Sequence, residues 1–349
     1  MKMNKRFLFV VGLFASFAVL FTACSKDDDK VVTPTVDKTA LKTALDAANA
    51  LYTAAVEGTA VGAYEVGSKA VFKSAIDAGQ SIFASATSTT SDVSNAAVNL
   101  GKATETFTGK KVAEIAADKL IAFWKFDGDA KDASGNKHDG TLTKGHAFFG
   151  AGMPTLTKDR YGVADKAYHF AKGGNIEVPY ATSLNPQKEM TISLWMKMDA
   201  DTAKWANNYM VSMNRWNGYK FQLQDGPLEF FTVYTADKKA FDKDNGSPTL
   251  VKDKWYHLSV TYKSGEMAFY INGTQVKTYA DVVGDFGSVA SVNLTIGQDL
   301  PTDKYSLSDK DPNYVNWGGY FKGDMDDIRM YNSVLSSTQI TSIYNAEKP

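Results

Sequence analysis

Trp255-Tyr256-His257-Leu258-Ser259-Val260-Thr261-Tyr262-Lys263-Ser264-Gly265-Glu266-Met267-Ala268-Phe269-Tyr270-Ile271-Asn272-Gly273 is the stretch that decides the fold. His257 to Tyr262 and Met267 to Ile271 are short runs rich in aromatic, aliphatic and β-branched residues, the composition of strands. Lys263-Ser264-Gly265-Glu266 between them reads as a glycine-containing hairpin turn, and Asn272-Gly273 marks a second hairpin. Outward from this centre, Leu120-Ile121-Ala122-Phe123-Trp124-Lys125-Phe126 and Met190-Thr191-Ile192-Ser193-Leu194-Trp195-Met196 have the same texture. From about residue 118 onward strands follow one another with no helical period between them, which predicts a β-sandwich. Trp124, Trp195 and Trp255 fall in apolar alternation and are read as core.

Residues 37–117 have a different texture, alanine-rich and nearly free of proline. Leu41, Leu45, Ala48, Leu51, Tyr52 and Ala55 recur at three- and four-residue steps, as one face of a helix does. Phe72, Ala75, Ile76, Gly79, Ile82 and Phe83 form a second stripe, and Val93, Ala96, Ala97, Leu100, Ala103 and Phe107 a third. Ser91-Asp92 offers a hydroxyl cap and an acid for the start of the third helix. The fold class expected is therefore multidomain, α then β: a three-helix bundle over 37–117 and a sandwich over 118–349.

Before the bundle, Lys2, Lys5 and Arg6 precede an apolar run that ends in Thr22-Ala23-Cys24. Basic residues, an apolar run and small residues in that order make a secretory signal over 1–23. Cys24 is the only cysteine. Ser25-Lys26-Asp27-Asp28-Asp29-Lys30 is short, polar and acidic, and Val31 to Val36 reads as a linker, so 24–36 is a solvated tether. The 349 residues are 44% hydrophobic and 22% charged with a net charge of −1. That balance argues against a nucleic-acid partner or an anionic membrane surface. Four histidines without close spacing argue against a zinc site.

Several of these segments resemble known families. The small residues before Cys24 resemble the lipobox of bacterial lipoproteins, which implies lipidation of Cys24 and membrane attachment through the lipid alone. The acidic tether resembles the export tag of Bacteroides-type surface lipoproteins, which implies the outer membrane, facing outward. Gly62-Ala63-Tyr64, Ala70-Val71-Phe72-Lys73-Ser74-Ala75-Ile76 and Leu100 to Phe107 resemble FIVAR-type extracellular modules, which implies a spacer. The sandwich resembles the concanavalin A-like, laminin G-type jelly roll. The matching segments are Trp124-Lys125-Phe126-Asp127-Gly128, Ala167-Tyr168-His169-Phe170, Thr191-Ile192-Ser193-Leu194-Trp195, Trp255 to Tyr262, and Phe321-Lys322-Gly323-Asp324-Met325-Asp326-Asp327-Ile328-Arg329-Met330-Tyr331. Leu335 to Ile340 resembles the short helix that ends these domains.

Strict alternation along 324–331 places Asp326 on the face of Ile328 and Met330, which should point at the core. A buried carboxylate needs a partner or a metal. Laminarinase-type relatives carry a similar closing strand with a structural calcium, so the resemblance implies Ca2+ with Asp326, Asp127 and Asp132 as ligands. The competing reading is that these acids cap turns or pair with basic side chains.

Glucanases of this fold need two carboxyls about 5 Å apart for retaining hydrolysis. Glu229 and Glu266 each stand singly in their segments, and Asp324, Asp326 and Asp327 match the closing strand, so catalysis is not expected. Sugar sites on sandwiches use flat aromatic faces flanked by amide and charged groups. Two loop-like segments have that mix. Trp205, Asn214, Arg215, Trp216 and Tyr219 belong to the first, Tyr314 and Trp317 to the second. The expected function is capture of a glycan, polysaccharide or oligosaccharide, for neighbouring uptake proteins. An adhesin for a host or matrix protein and a diverged glycoside hydrolase are the alternatives.

Overall fold

The computed structural model describes residues 36–349 apart from 59, 113, 116, 200–206, 225 and 290. The expected signal, Cys24, the tether up to residue 35 and the candidate Trp205 lie outside the described residues. Among the described residues no helix is long and apolar enough to cross a membrane.

Three helices come first: α1 (Thr39–Ala54), α2 (Ser68–Ala84) and α3 (Thr90–Thr108). Each buries members of its expected stripe, Leu41, Leu45 and Ala48, then Phe72, Ile76 and Gly79, then Val93, Leu100 and Phe107. Gly79 lets the helices close: a Cβ there would lie 3.3 Å from a Leu45 methyl and 3.6 Å from one of Leu100. Tyr64, in the α1–α2 link, stacks on Phe107 at 4.3 Å, and Phe107 stacks on Phe72 at 4.4 Å. α3 starts earlier than Ser91. Thr89 is the N-cap, its hydroxyl accepting from the Asp92 N–H while the Asp92 carboxylate accepts from the Thr89 N–H. This reciprocal box satisfies two donors where a lone serine cap satisfies one.

The strands are β1 (Leu120–Trp124), β2 (Thr141–Thr143), β3 (Thr155–Thr157), β4 (Ala167–Phe170), β5 (Asn175–Val178), β6 (Glu189–Met198), β7 (Asn208–Met213) and β8 (Tyr219–Gln224). β9 (Leu228–Tyr234), β10 (Ala240–Asp244), β11 (Tyr256–Lys263), β12 (Glu266–Ile271), β13 (Thr274–Tyr279), β14 (Leu294–Ile296) and β15 (Gly323–Tyr331) follow, and α4 (Ser337–Glu347) closes the chain. They form two antiparallel sheets. The first runs β13-β12-β11-β6-β15-β4-β3, with β1 beside β15, and the second runs β10-β9-β8-β7-β14-β5-β2. The two hairpins expected around 263–273 are both present. Lys263 pairs with Glu266, and Asn272 and Gly273 have φ of 51° and 74° between β12 and β13. Gly273 is needed twice, because a Cβ there would also come within 2.9 Å of the Tyr344 Cβ on α4.

The core lies between the sheets, with Trp124, Leu194, Phe221, Phe231, Leu258 and Phe269 among its fully buried members. Trp195 is buried too, but on the outer face of the first sheet, where it stacks on Tyr344 at 5.8 Å. Trp255 is not core: it is half-buried, with the Lys197 ammonium 5.4 Å from its ring.

Alternation along β15 fails at one point. The register shifts between Asp326 and Arg329, and Asp327 has φ 47°. A bulge of this kind inserts one residue and reverses the facing of everything beyond it. Met325 before the bulge and Ile328 and Met330 after it all reach the core. Asp326 therefore faces away from Ile328 and Met330, correcting the expectation from alternation. It lies on the outer face opposite Trp195.

That outer face also holds His257, fully buried, with Nε2 2.7 Å from the Ser193 hydroxyl and Nδ1 without a partner. Burial, reinforced by the Arg329 and Arg160 charges, pushes its pKa down to about 3. An unfolded histidine titrates near pH 6.5, so between those values only the unfolded chain takes the proton. Stability is then fully present above pH 6.5 and falls as the pH drops, by roughly 2 kcal/mol at pH 5. Urea unfolding at pH 7 and pH 5 should show this loss, and His257→Gln should reduce it. An unchanged loss in the variant would assign the acid sensitivity to carboxylates instead.

Candidate functional site

The segment between β7 and β8 is a tight connection whose side chains diverge. Asn214 adopts φ 71°, and its Oδ1 accepts from the Trp216 N–H at 3.3 Å. This Asx-type bond turns the chain so that Arg215 points inward and Trp216 outward. Arg215 is buried, its Nε donating to Asp299 Oδ2 at 2.6 Å and its Nη1 to the Tyr314 carbonyl at 3.0 Å. Asp299 Oδ1 accepts from the Tyr305 hydroxyl at 2.5 Å. Arg215 is thus a fastener between two loops that lie far apart in sequence. The expectation that it touches ligand directly is corrected by its burial.

What the fastener aligns is a depression of about 400 Å3. Trp216 and Trp317 line it, with Asn214, Asn217, Asn313 and Lys304 among the polar groups around them. The two tryptophans are 42% and 49% exposed, which no core role explains. Trp216 Nε1 donates to the Pro312 carbonyl at 2.7 Å, fixing the indole across the loop junction. Tyr314 meets Trp317 edge to face at 5.7 Å and supports it from the side. The structure therefore brings Asn214, Trp216 and Trp317 together, with Tyr314 behind them. Tyr219 does not belong with them. It is fully buried on β8, and its hydroxyl donates to the Leu184 carbonyl at 2.6 Å. Parity explains this: Tyr219, Phe221 and Leu223 all face the core.

Asn217, Asn313 and Lys304 were missed in sequence. Asn217 and Asn313 were visible inside the two singled-out segments. Lys304 precedes Tyr305 in a short helical turn with no distinguishing signal.

The acids expected to bind calcium do not form a calcium site. Asp132 turns its carboxylate onto the N–H groups of Phe123, Ser134 and His138 and the Ser134 hydroxyl, at 2.8 to 3.0 Å. Asp127 and Asp326 line one polar depression without Asp132. There Lys166 lies 3.2 Å from Asp127, while Arg160 lies 2.5 Å from Asp326 and 2.7 Å from Asp327. Calcium needs six to eight oxygens, and here the carboxylates face guanidinium and ammonium groups.

A different cluster brings three potential ligands together. His169, Asp199 and Asp324 each place a donor atom within 4.8 Å of the others. His169 Nδ1 lies 2.8 Å from Asp324 Oδ1, and Lys197 Nζ lies 2.7 Å from the other Asp324 oxygen. The hydrogen bond to Asp324 holds the His169 imidazole above its ordinary pKa, against the effect of burial. One imidazole and two carboxylates could hold a borderline divalent metal. Glu229, the lone acid of its segment, is fully buried with neither carboxyl oxygen partnered, and burial pushes it far toward the protonated form.

Residues 170–341 match the profile of the family described as the concanavalin A-like lectin/glucanases superfamily. Among curated proteins, adhesion G-protein coupled receptor V1 of Danio rerio is 24% identical over 173 residues, which is 47% of this chain and 2% of the receptor. The chain thus spans a small fraction of that relative's length. Among solved structures, the binding domain of Paraclostridial Mosquitocidal Protein 1 is 16% identical with a TM-score of 0.50, over 66% of this chain and 52% of that one. Domain 4 of an extracellular arabinanase from Geobacillus stearothermophilus, solved with arabinotriose, is 21% identical with a TM-score of 0.48, over 65% of this chain and 98% of that one. The profile match and the two-sheet topology make the C-terminal part a concanavalin A-like jelly roll.

Proposed function

We propose that this chain is a non-catalytic carbohydrate-binding protein whose site is the depression at Trp216 and Trp317. The observation that carries the reading is the pairing of two exposed indoles with asparagine amides in one concavity. Indole faces cover the C–H surfaces of pyranose rings, and amides bond their hydroxyls. A retaining hydrolase would need a free carboxyl pair near 5 Å. Asp299, the acid under this site, is buried and held by Arg215 and Tyr305. The signal-like N-terminus and Cys24 support a lipid-anchored protein at the outer membrane, handing glycans to neighbouring uptake proteins. The helical bundle would then serve as a spacer.

A glycan array is the direct test. Trp216→Ala and Trp317→Ala should each weaken binding tenfold or more, about 1.4 kcal/mol, in variants that keep the parent's thermal midpoint. Folded variants that bind as the parent does would move the site elsewhere. An array without any bound glycan would turn the reading to a protein partner.

A further inference from the structure

Beside the depression lies a lysine that neither the fold nor the loop fastener uses. Lys220 is on β8 opposite Ser212 of β7. Its neighbours Tyr219 and Phe221 face the core, so Lys220 faces the outer side of the second sheet. It is nevertheless only 8% exposed. Its ammonium is surrounded by rings, 5.8 Å from Tyr209, 5.7 Å from Trp216 and 5.6 Å from Tyr234. No hydrogen bond or ion pair to Nζ is present among the described residues.

Ring faces attract a cation, but they accept none of its three N–H bonds in the ordinary sense. The ammonium tip is not among the fully enclosed unpartnered atoms, so its donors stay open to an acceptor arriving from solvent. The acids whose charges reach it are Asp299 and Asp242. Both already serve other donors, Asp299 those of Arg215 and Tyr305, Asp242 the Thr232 hydroxyl. Burial and the Arg215 charge lower the Lys220 pKa, and Asp299 and Asp242 oppose them. A monoanion at Nζ would supply the missing acceptor and favour the charged amine. Trp216 connects the two features, since the same indole lines the depression and neighbours Lys220.

We propose that the glycan taken at Trp216 and Trp317 is acidic, and that a sugar carboxylate pairs with Lys220. This rests on the carbohydrate reading of the depression. A compact ammonium point charge suits a single carboxylate, while the indoles take the apolar face of the same or the adjoining sugar.

The test presents the protein with oligosaccharides bearing galacturonate, glucuronate or N-acetylneuraminate, each beside its carboxyl-reduced form. The arms separate a uronate from a sialate. The expected result is binding at least tenfold tighter to one acid than to its reduced form. Lys220→Met, which keeps the chain length, should erase that difference, and Lys220→Arg should retain much of it. Equal binding of acid and reduced forms, binding to neutral glycans alone, or a difference that survives in Lys220→Met would overturn the proposal and leave the carbohydrate reading intact. Should Lys220→Met fail to fold, the acid-against-reduced comparison on the parent still decides. Binding to no glycan would overturn both readings.

Discussion

Arg160→Met is expected to cost roughly 3–5 kcal/mol of stability, the scale of breaking one partner out of a buried ion pair, read as a lowered urea midpoint. The Arg160 side chain is 5% exposed and its partner Asp326 4%. One guanidinium nitrogen meets Asp326, another meets Asp327, and Nε donates to the Glu347 carbonyl at 2.7 Å. The guanidinium lies 4.7 Å from the Trp195 ring, whose Nε1 donates to the Glu347 carboxylate at 2.9 Å. Arg160 therefore ties the bulge of β15 to the end of α4. Burial and the neighbouring Asp327 charge push the Asp326 carboxyl upward, and Arg160 opposes them. Without Arg160 only the Asp327 backbone N–H opposes that burial, whereas Arg160→Met with Asp326→Asn should recover much of the loss. A urea midpoint unchanged in Arg160→Met, or a double variant no more stable than Arg160→Met alone, would sink the account.

The error that made Asp326 a calcium candidate shows where sequence reading stops. Alternation is a local rule, and it located hairpins and strands because Asn272-Gly273 and Ser264-Gly265 carry their turn chemistry in their own backbones. A bulge between Asp326 and Arg329 has no such signature: Asp327, an ordinary aspartate, takes the positive φ. Arg160, distant in sequence, then fills a place that no local pattern assigns. The helical stripes were legible for the opposite reason, since Leu41, Leu45 and Ala48 on α1, and Phe72, Ile76 and Gly79 on α2, repeat at the helical period within their own segments. At the site, aromatic and amide residues in loop-like segments were visible, but which of them faced outward was not. Tyr219 and Arg215 turn inward, one by strand parity and the other by the Asn214 turn with a buried partner at Asp299.

The same logic gives the second large effect. Arg215→Met is expected to cost roughly 3–5 kcal/mol and also to weaken glycan binding tenfold or more, although Arg215 is a positioning residue. Its side chain is 1% exposed and that of Asp299 0%. Removing it leaves Asp299 with the Tyr305 hydroxyl but no guanidinium, frees the Tyr314 carbonyl, and leaves the Pro312 carbonyl held by Trp216 alone. Gly318→Ala should act in the same direction more mildly, because its Cβ would fall 2.7 Å from Arg215 Nη2 and 2.8 Å from Tyr305 Cε1. Loss of binding could reflect lowered stability alone, and Arg160→Met supplies the control. Its ion pair lies at the outer face of the first sheet, and the depression is built on loops of the second. At a temperature where both variants are fully folded, Arg160→Met should bind glycan with the parent's affinity and Arg215→Met should not. Equal affinities in the two variants would mean that the Trp216–Pro312 bond alone aligns the indoles. A parallel loss in both would mean that affinity follows global stability, and the depression would no longer be the site.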